Sequence, residues 1–155
     1  MPLIIALTAK YLIFVSAILT AGLWLTLSKT LKLQFVVNFA VAGLLSIVLS
    51  QTIAHFYFDP RPFVVQHRTP LIPHVPDNGF PSDHTTLTML MALVSLRYSR
   101  PAGIALIVMS LLIGMARIAA LVHSPIDIAG SVAIAAVSVF VAGKVPLANR
   151  KPVNG

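Results

Sequence analysis

The sequence predicts an all-α fold: a polytopic membrane helical bundle of about five transmembrane helices, forming one domain over residues 1–155. Three observations predict it. Only 10% of the residues are charged, against roughly 25% in an ordinary soluble domain. Hydrophobic residues make up 57% of the chain, and mean hydropathy is +0.92. The apolar residues also fall into five successive runs near the length that a bilayer demands. Too few polar groups remain to cover a water-facing surface, and apolar burial is too abundant for disorder. A buried soluble helix could explain one such run, but not five.

The first run covers Tyr11–Leu27, or starts at Leu3 if Lys10 snorkels to the interface. It is long enough to span and lacks the small-residue exit of a signal peptide. Residues 28–32 form a short basic connection, and the second run extends from Phe35 to Phe58. It ends at Asp59-Pro60-Arg61-Pro62, after which a polar, proline-rich stretch reaches Pro81. The third span is expected from Ser82 or Asp83 to Leu96, the fourth from Ala102 to Leu121, and the fifth from Ile126 to Ala142. Residues 144–155 read as a basic cytoplasmic tail. No inverted repeat of the kind that marks many transporters is visible.

Lys and Arg number 11 against 4 Asp and no Glu, for a net charge of +7. That balance does not indicate nucleic acid, which needs a basic surface on a soluble domain. In an apolar chain the positive charges sit in loops and set topology. With the N-terminus outside, Lys29, Lys32, Arg97, Arg100, Lys144, Arg150 and Lys151 lie inside, and only Lys10, Arg61, Arg68 and Arg117 lie outside. Residues 59–81 and 117–125 are therefore expected on the extracytoplasmic side. The absence of cysteine excludes disulfides, thiolate nucleophiles and Cys-based metal sites.

The four acids (Asp59, Asp77, Asp83, Asp127) and five histidines (His55, His67, His74, His84, His123) all lie in or within a turn of those two outer segments. Ionisable groups are costly in a membrane protein and mark function by default. Three motifs concentrate them. Asp59-Pro60-Arg61-Pro62 closes the second helix, and alone it could be a charged helix terminator. Phe80-Pro81-Ser82-Asp83-His84-Thr85 reads as a helix N-cap, and a helix N-terminus is also an anion site. Arg117-x5-His123-x3-Asp127 crosses the turn between the last two helices. Its His and Asp are spaced i, i+4, so the carboxylate can accept Nδ1–H and leave Nε2 free to attack. Singly, that pair could be a satisfied polar contact or a metal site, but two arginines beside it favour an anion. Two arginines, a helix N-terminus with a hydroxyl, and two histidines together suit phosphate-ester hydrolysis without a metal.

At these residues the sequence resembles the type 2 phosphatidic acid phosphatase superfamily, whose soluble relatives include the vanadium haloperoxidases. The family signatures Lys-x6-Arg-Pro, Pro-Ser-Gly-His and Ser-Arg-x5-His-x3-Asp appear here as Arg61-Pro62, Pro81-Ser82-Asp83-His84 and Arg117-x5-His123-x3-Asp127. Within the core motifs, residues 54–130, the runs YFDPRPFV, LIPH, FPSDHTT and PIDIAGS are similar to the bacitracin-resistance (BcrC-like) branch of undecaprenyl pyrophosphate phosphatases. The resemblance implies that His123 is the nucleophile, that Asp127 orients it and that His84 protonates the leaving group. It implies that Arg61, Arg117 and Ser82, with backbone amides near Asp83, hold the phosphoryl oxygens. No metal and no cofactor is expected. The implied partners are a polyprenyl pyrophosphate lipid and the bilayer, with no nucleic acid and with oligomeric state left open. The implied location is the bacterial plasma membrane, with the site on its extracytoplasmic side.

The sequence departs from the family pattern in three places. The family lysine falls at Ala54, where His55, Gln51 or Arg68 could substitute; the serine before the second arginine is Ala116; and the motif glycine is Asp83. The family usually has six spans, so the resemblance places the uncounted helix before the first one here. Two rival functions remain at this stage. One is the same chemistry on phosphatidylglycerophosphate, phosphatidate or a lipid A phosphate. The other is a non-enzymatic anion-binding membrane protein or transporter.

Overall fold

A computed structural model describes residues 1–144. The basic tail expected over residues 144–155 lies, beyond Lys144, outside the described residues. The chain forms α1 (Pro2–Thr26), α2 (Lys29–Phe56), α3 (Pro62–Val65), α4 (Asp83–Leu96), α5 (Arg100–Ala119) and α6 (Pro125–Ala142). Proline in the first turn of α1, α5 and α6 suits the fold, because its missing N–H has no helical partner there. Ser99 and Ser124 cap α5 and α6 through their side chains. α1 takes in Lys10, close to the longer of its two expected starts, whereas α2 begins at Lys29 rather than near Phe35.

Among the described residues four helices, α1, α2, α5 and α6, are long and apolar enough to cross a membrane. The expected third span, α4, is shorter than the others. α4 has 14 residues, about 21 Å at 1.5 Å per residue, short of a ~30 Å hydrocarbon core. It packs against all four long helices and occupies the centre of the bundle. A helix surrounded by protein has no lipid thickness to match. Met89, Leu90, Ala92 and Val94 of α4 join Phe35, Ala42, Leu106, Ala135 and Val139 in the main core. Its buried Thr88 hydroxyl lies 2.9 Å from that of Ser110 on α5. Leu3, Ile4, Phe14 and Ile18 of α1, and Leu44, Ile47 and Val48 of α2, are exposed, as lipid-facing surfaces should be.

The connection from Tyr57 to Ser82 folds back over the end of the bundle where α2 and α5 finish and α4 and α6 begin. Asn78 ties it down. Its side-chain oxygen accepts from the Asp59 and Phe80 amides, each at 3.0 Å, and its NH2 donates to the Ala54 and Tyr57 carbonyls. Ile72 is buried with Ala9, Ala116, Ala120 and Val122, which seats the following residues against α5.

Candidate active site

The last turn of α5 and the cap of α6 set two of the three motifs. Arg117 lies in the final turn of α5, His123 in the connection, and Asp127 at the third position of α6. The Asp127 carboxylate accepts the Ser124 amide at 2.8 Å, while the Ser124 hydroxyl accepts the Asp127 amide, closing a reciprocal cap. The same Oδ2 lies 3.2 Å from His123 Nδ1. The Gly79 carbonyl oxygen is nearer, at 2.9 Å. A carbonyl can only accept, so Nδ1 carries the proton and Nε2 is left without a protein partner. Burial lowers the His123 pKa; the Asp127 hydrogen bond opposes that, while Arg117 and Arg61 add to it. The imidazole is therefore neutral near pH 7.

Arg61 precedes α3 and is buried. Its Nε donates to Asp77 at 2.6 Å and its Nη1 to the Val122 carbonyl at 2.7 Å, which joins the first motif to the third. Partial desolvation raises the Asp77 carboxyl, but the Arg61 hydrogen bond and charge outweigh it and hold the group below its usual range. Arg117 differs. It is only 3% exposed and no carboxylate lies within ion-pair distance of it among the described residues. Its Nη1 donates to the Ala9 carbonyl at 3.3 Å, its Nη2 faces His74 Nε2 at 3.2 Å, and its Nε has no partner. A buried guanidinium without a counter-ion is costly unless an anion completes it.

A cavity of about 360 Å³ collects these groups: Arg61, His74, Asp77, Asp83, His84, Arg117 and His123 line it, together with Gln51, Ala54 and Asn78. His84, in the first turn of α4, makes no hydrogen bond through its ring among the described residues, and Asp83 is exposed beside it. Ser82 sits deeper. It is fully buried, its amide donates to Ser131 of α6, and its hydroxyl accepts from Thr85 rather than lining the cavity. Of the three stand-ins considered for the family lysine, only Gln51 lines the cavity, as Ala54 itself does; His55 and Arg68 are exposed outside it. No cluster of three or more potential metal ligands occurs among the described residues.

Several contributors were not singled out from sequence. Gly79 is required by close approach: a Cβ there would stand 2.9 Å from Asp127 Oδ2 and 3.1 Å from the Asp59 carbonyl. Asn78-Gly79 is a turn signal, and Ser124-x-x-Asp127 is a capping pattern, so both were available locally. Asp59 and His74 lay within runs noted in the sequence, but their partners, the Ser124 hydroxyl and Arg117, lie 65 and 43 residues away and gave no local signal.

Residues 33–151 match the profile of the PAP2 superfamily. The chain belongs to that superfamily. It is 34% identical over 137 residues to the undecaprenyl-diphosphatase BcrC of Bacillus subtilis, covering 88% of this chain and 70% of that one. It is 36% identical over 123 residues to the putative undecaprenyl-diphosphatase YbjG of Escherichia coli, covering 79% of this chain and 62% of the relative. A bacitracin transport permease protein BcrC of Bacillus licheniformis is 29% identical over 132 residues, covering 84% and 64%. The chain thus spans somewhat under two thirds of the latter two relatives. No solved structure matches it significantly. The three motifs read from the sequence reach the same cavity, through Arg61, through His84 and through Arg117 with His123.

Proposed function

We propose that this chain is a membrane-embedded, metal-independent phosphatase that converts undecaprenyl pyrophosphate to undecaprenyl phosphate and phosphate. The observation that carries the reading is Arg117: a buried guanidinium with no carboxylate within ion-pair distance among the described residues and an unpartnered Nε, lining the cavity that also holds His123. Arg61, Arg117 and the amides at the start of α4 bind the terminal phosphoryl group. His123 Nε2 attacks its phosphorus while the bond to the bridging oxygen breaks, and His84 supplies a proton where the leaving oxygen needs one. Water then attacks the phosphohistidine, giving its proton to His84 and releasing phosphate. Asp127 and the Gly79 carbonyl hold Nδ1–H throughout and stabilise the positive ring. Ser82 supports the start of α4 from beneath.

A lipid rather than a soluble ester is favoured by a second, mainly apolar groove of about 360 Å³ between α2 and α4. Gly43, Ile47, Leu87 and Leu90 line it, and it shares Ser50, Gln51 and Asp83 with the polar cavity. A headgroup in one and the first isoprenoid units in the other fit that continuity. The relatives named as undecaprenyl-diphosphatases and the bacterial origin of all three support the substrate and a bacterial plasma membrane. The seven-to-four charge split supports an extracytoplasmic site and hence recycling of the carrier for wall polymers.

Phosphate release by detergent-solubilised protein tests the reading. Undecaprenyl pyrophosphate should be hydrolysed in excess EDTA, faster than phosphatidate, phosphatidylglycerophosphate or a lipid A phosphate, and orthovanadate should inhibit. Preference for a monophosphate would transfer the site to that substrate. Binding without release from any of them would leave an anion-binding protein or transporter.

A further inference from the structure

One imidazole of the cavity has no part in that mechanism. His74 is half-buried, and its ring stands edge-on to that of His123 with centroids 6.3 Å apart. Its Nδ1 lies 2.9 Å from the Pro73 carbonyl oxygen. Since that oxygen can only accept, Nδ1 bears the proton and Nε2 is a lone-pair acceptor. That acceptor meets Arg117 Nη2 at 3.2 Å. The arrangement requires a neutral ring. Burial holds the His74 pKa below its ordinary value, and the charges of Arg61 and Arg117 act in the same direction. Of the other groups around it, Asp77 is bound to Arg61, His123 and His84 share the cavity, and Lys10 is exposed with its ammonium over Tyr11.

We infer that His74 is a positioning residue for Arg117: an imidazole anchored on the Pro73 carbonyl that aims the otherwise uncompensated guanidinium at the phosphoryl group. Among the described residues no carboxylate lies within ion-pair distance of Arg117, although Asp77 pairs with Arg61. The difference has a chemical reason. A carboxylate on Arg117 would cancel the charge that draws the substrate, whereas a neutral nitrogen orients the guanidinium and leaves its charge intact. Ile72, buried against Ala9, Ala116, Ala120 and Val122, fixes the segment so that the acceptor stays in place.

The inference rests on the phosphatase reading, and the test separates the two. Orthovanadate affinity and kcat/KM are measured on the full solubilised chain for the wild type, His74→Gln, His74→Phe and Arg117→Ala, and for His74→Phe combined with Arg117→Ala. Gln keeps an acceptor near the Nε2 position, and Phe keeps the ring volume without one. A hydrogen bond to a charged group is worth about tenfold or more in binding. His74→Gln should therefore stay within about threefold of wild type, and His74→Phe should lose about tenfold or more in both measures. In the Arg117→Ala background His74→Phe should cost nothing further, because its effect passes through Arg117. A packing role would give the reverse order, with Phe tolerated and Gln not. That order, or an undiminished His74→Phe effect without Arg117, would overturn the inference and leave the phosphatase standing. A wild type that neither binds vanadate nor releases phosphate would overturn both.

Discussion

His123 Nδ1 lies closer to the backbone oxygen of Gly79, at 2.9 Å, than to the carboxylate of Asp127, at 3.2 Å. The ring tautomer is thus held by a group that no side-chain substitution removes. Asp127 shares Nδ1–H with that carbonyl and adds negative charge beside the ring.

This predicts a mild phenotype for Asp127→Asn. Where such a substitution lets the amide donate to the ring and flips its tautomer, kcat falls roughly 10⁴-fold. Here the Asn oxygen would still be called on by the Ser124 amide, and Gly79 would keep Nδ1 protonated. The expected loss is about 10²-fold in kcat under single-turnover conditions, with phosphohistidine still detectable. His123→Ala should abolish turnover altogether. A loss near 10⁴-fold for Asp127→Asn would show that the carbonyl does not hold the tautomer.

Gly79→Ala should be more damaging than its size suggests. The new methyl would press on Asp127 Oδ2, which the Ser124 amide and His123 hold in place, and on the Asp59 carbonyl of the backbone. Overpacking of this kind costs about 1–3 kcal/mol. Thermal unfolding should show that loss, and kcat should fall at least as far as for Asp127→Asn. Wild-type activity in this variant would mean that the 78–80 turn relaxes freely.

His84 is predicted to matter according to the leaving group. A polyprenyl phosphate, with a second pKa of roughly 6, departs as an anion with little help. An alkoxide, whose conjugate acid is nearly as weak as water at ~15.7, needs a proton. General acid catalysis contributes about 10²–10⁴-fold where one is needed. His84→Ala should therefore harm hydrolysis of a lipid monophosphate far more than that of the pyrophosphate, in single-turnover assays of one preparation. Equal losses would make His84 a phosphate ligand, and a larger loss on the pyrophosphate would contradict the assignment.

Orientation can be read from engineered thiols, since the chain has no cysteine of its own. Val75 is exposed over the candidate site, and Thr30 is exposed at the opposite end of the bundle. In intact cells an impermeant maleimide should label Val75→Cys and spare Thr30→Cys. The opposite pattern would put the cavity on the cytoplasmic side.

The motifs were legible in sequence because each is local. His123 and Asp127 are one helical turn apart, Pro125 marks the start of α6, and Arg61-Pro62 closes the chain after α2. Hydropathy located the helices for the same reason, since lipid selects apolar length directly. It placed a span at α4 but did not reveal that this helix is short and packed by four others, because apolar content does not distinguish a helix facing lipid from one inside the bundle.

Composition and spacing determined a helical membrane protein with its acids and histidines at one end, and with the family resemblance the sequence marked Arg61, Ser82, Asp83, His84, Arg117, His123 and Asp127 as candidates. Tertiary structure decided how that set is arranged. Ser82 went beneath the cavity, Arg61 was tied to Asp77, and Arg117 was left without an ion pair among the described residues. Gly79 and His74 entered through contacts spanning 44 and 43 residues. Such contacts leave no periodicity or short spacing along the chain, because they arise only when packing of Ile72 and the Asn78 ties bring the connecting segment down onto the ends of α5 and α6.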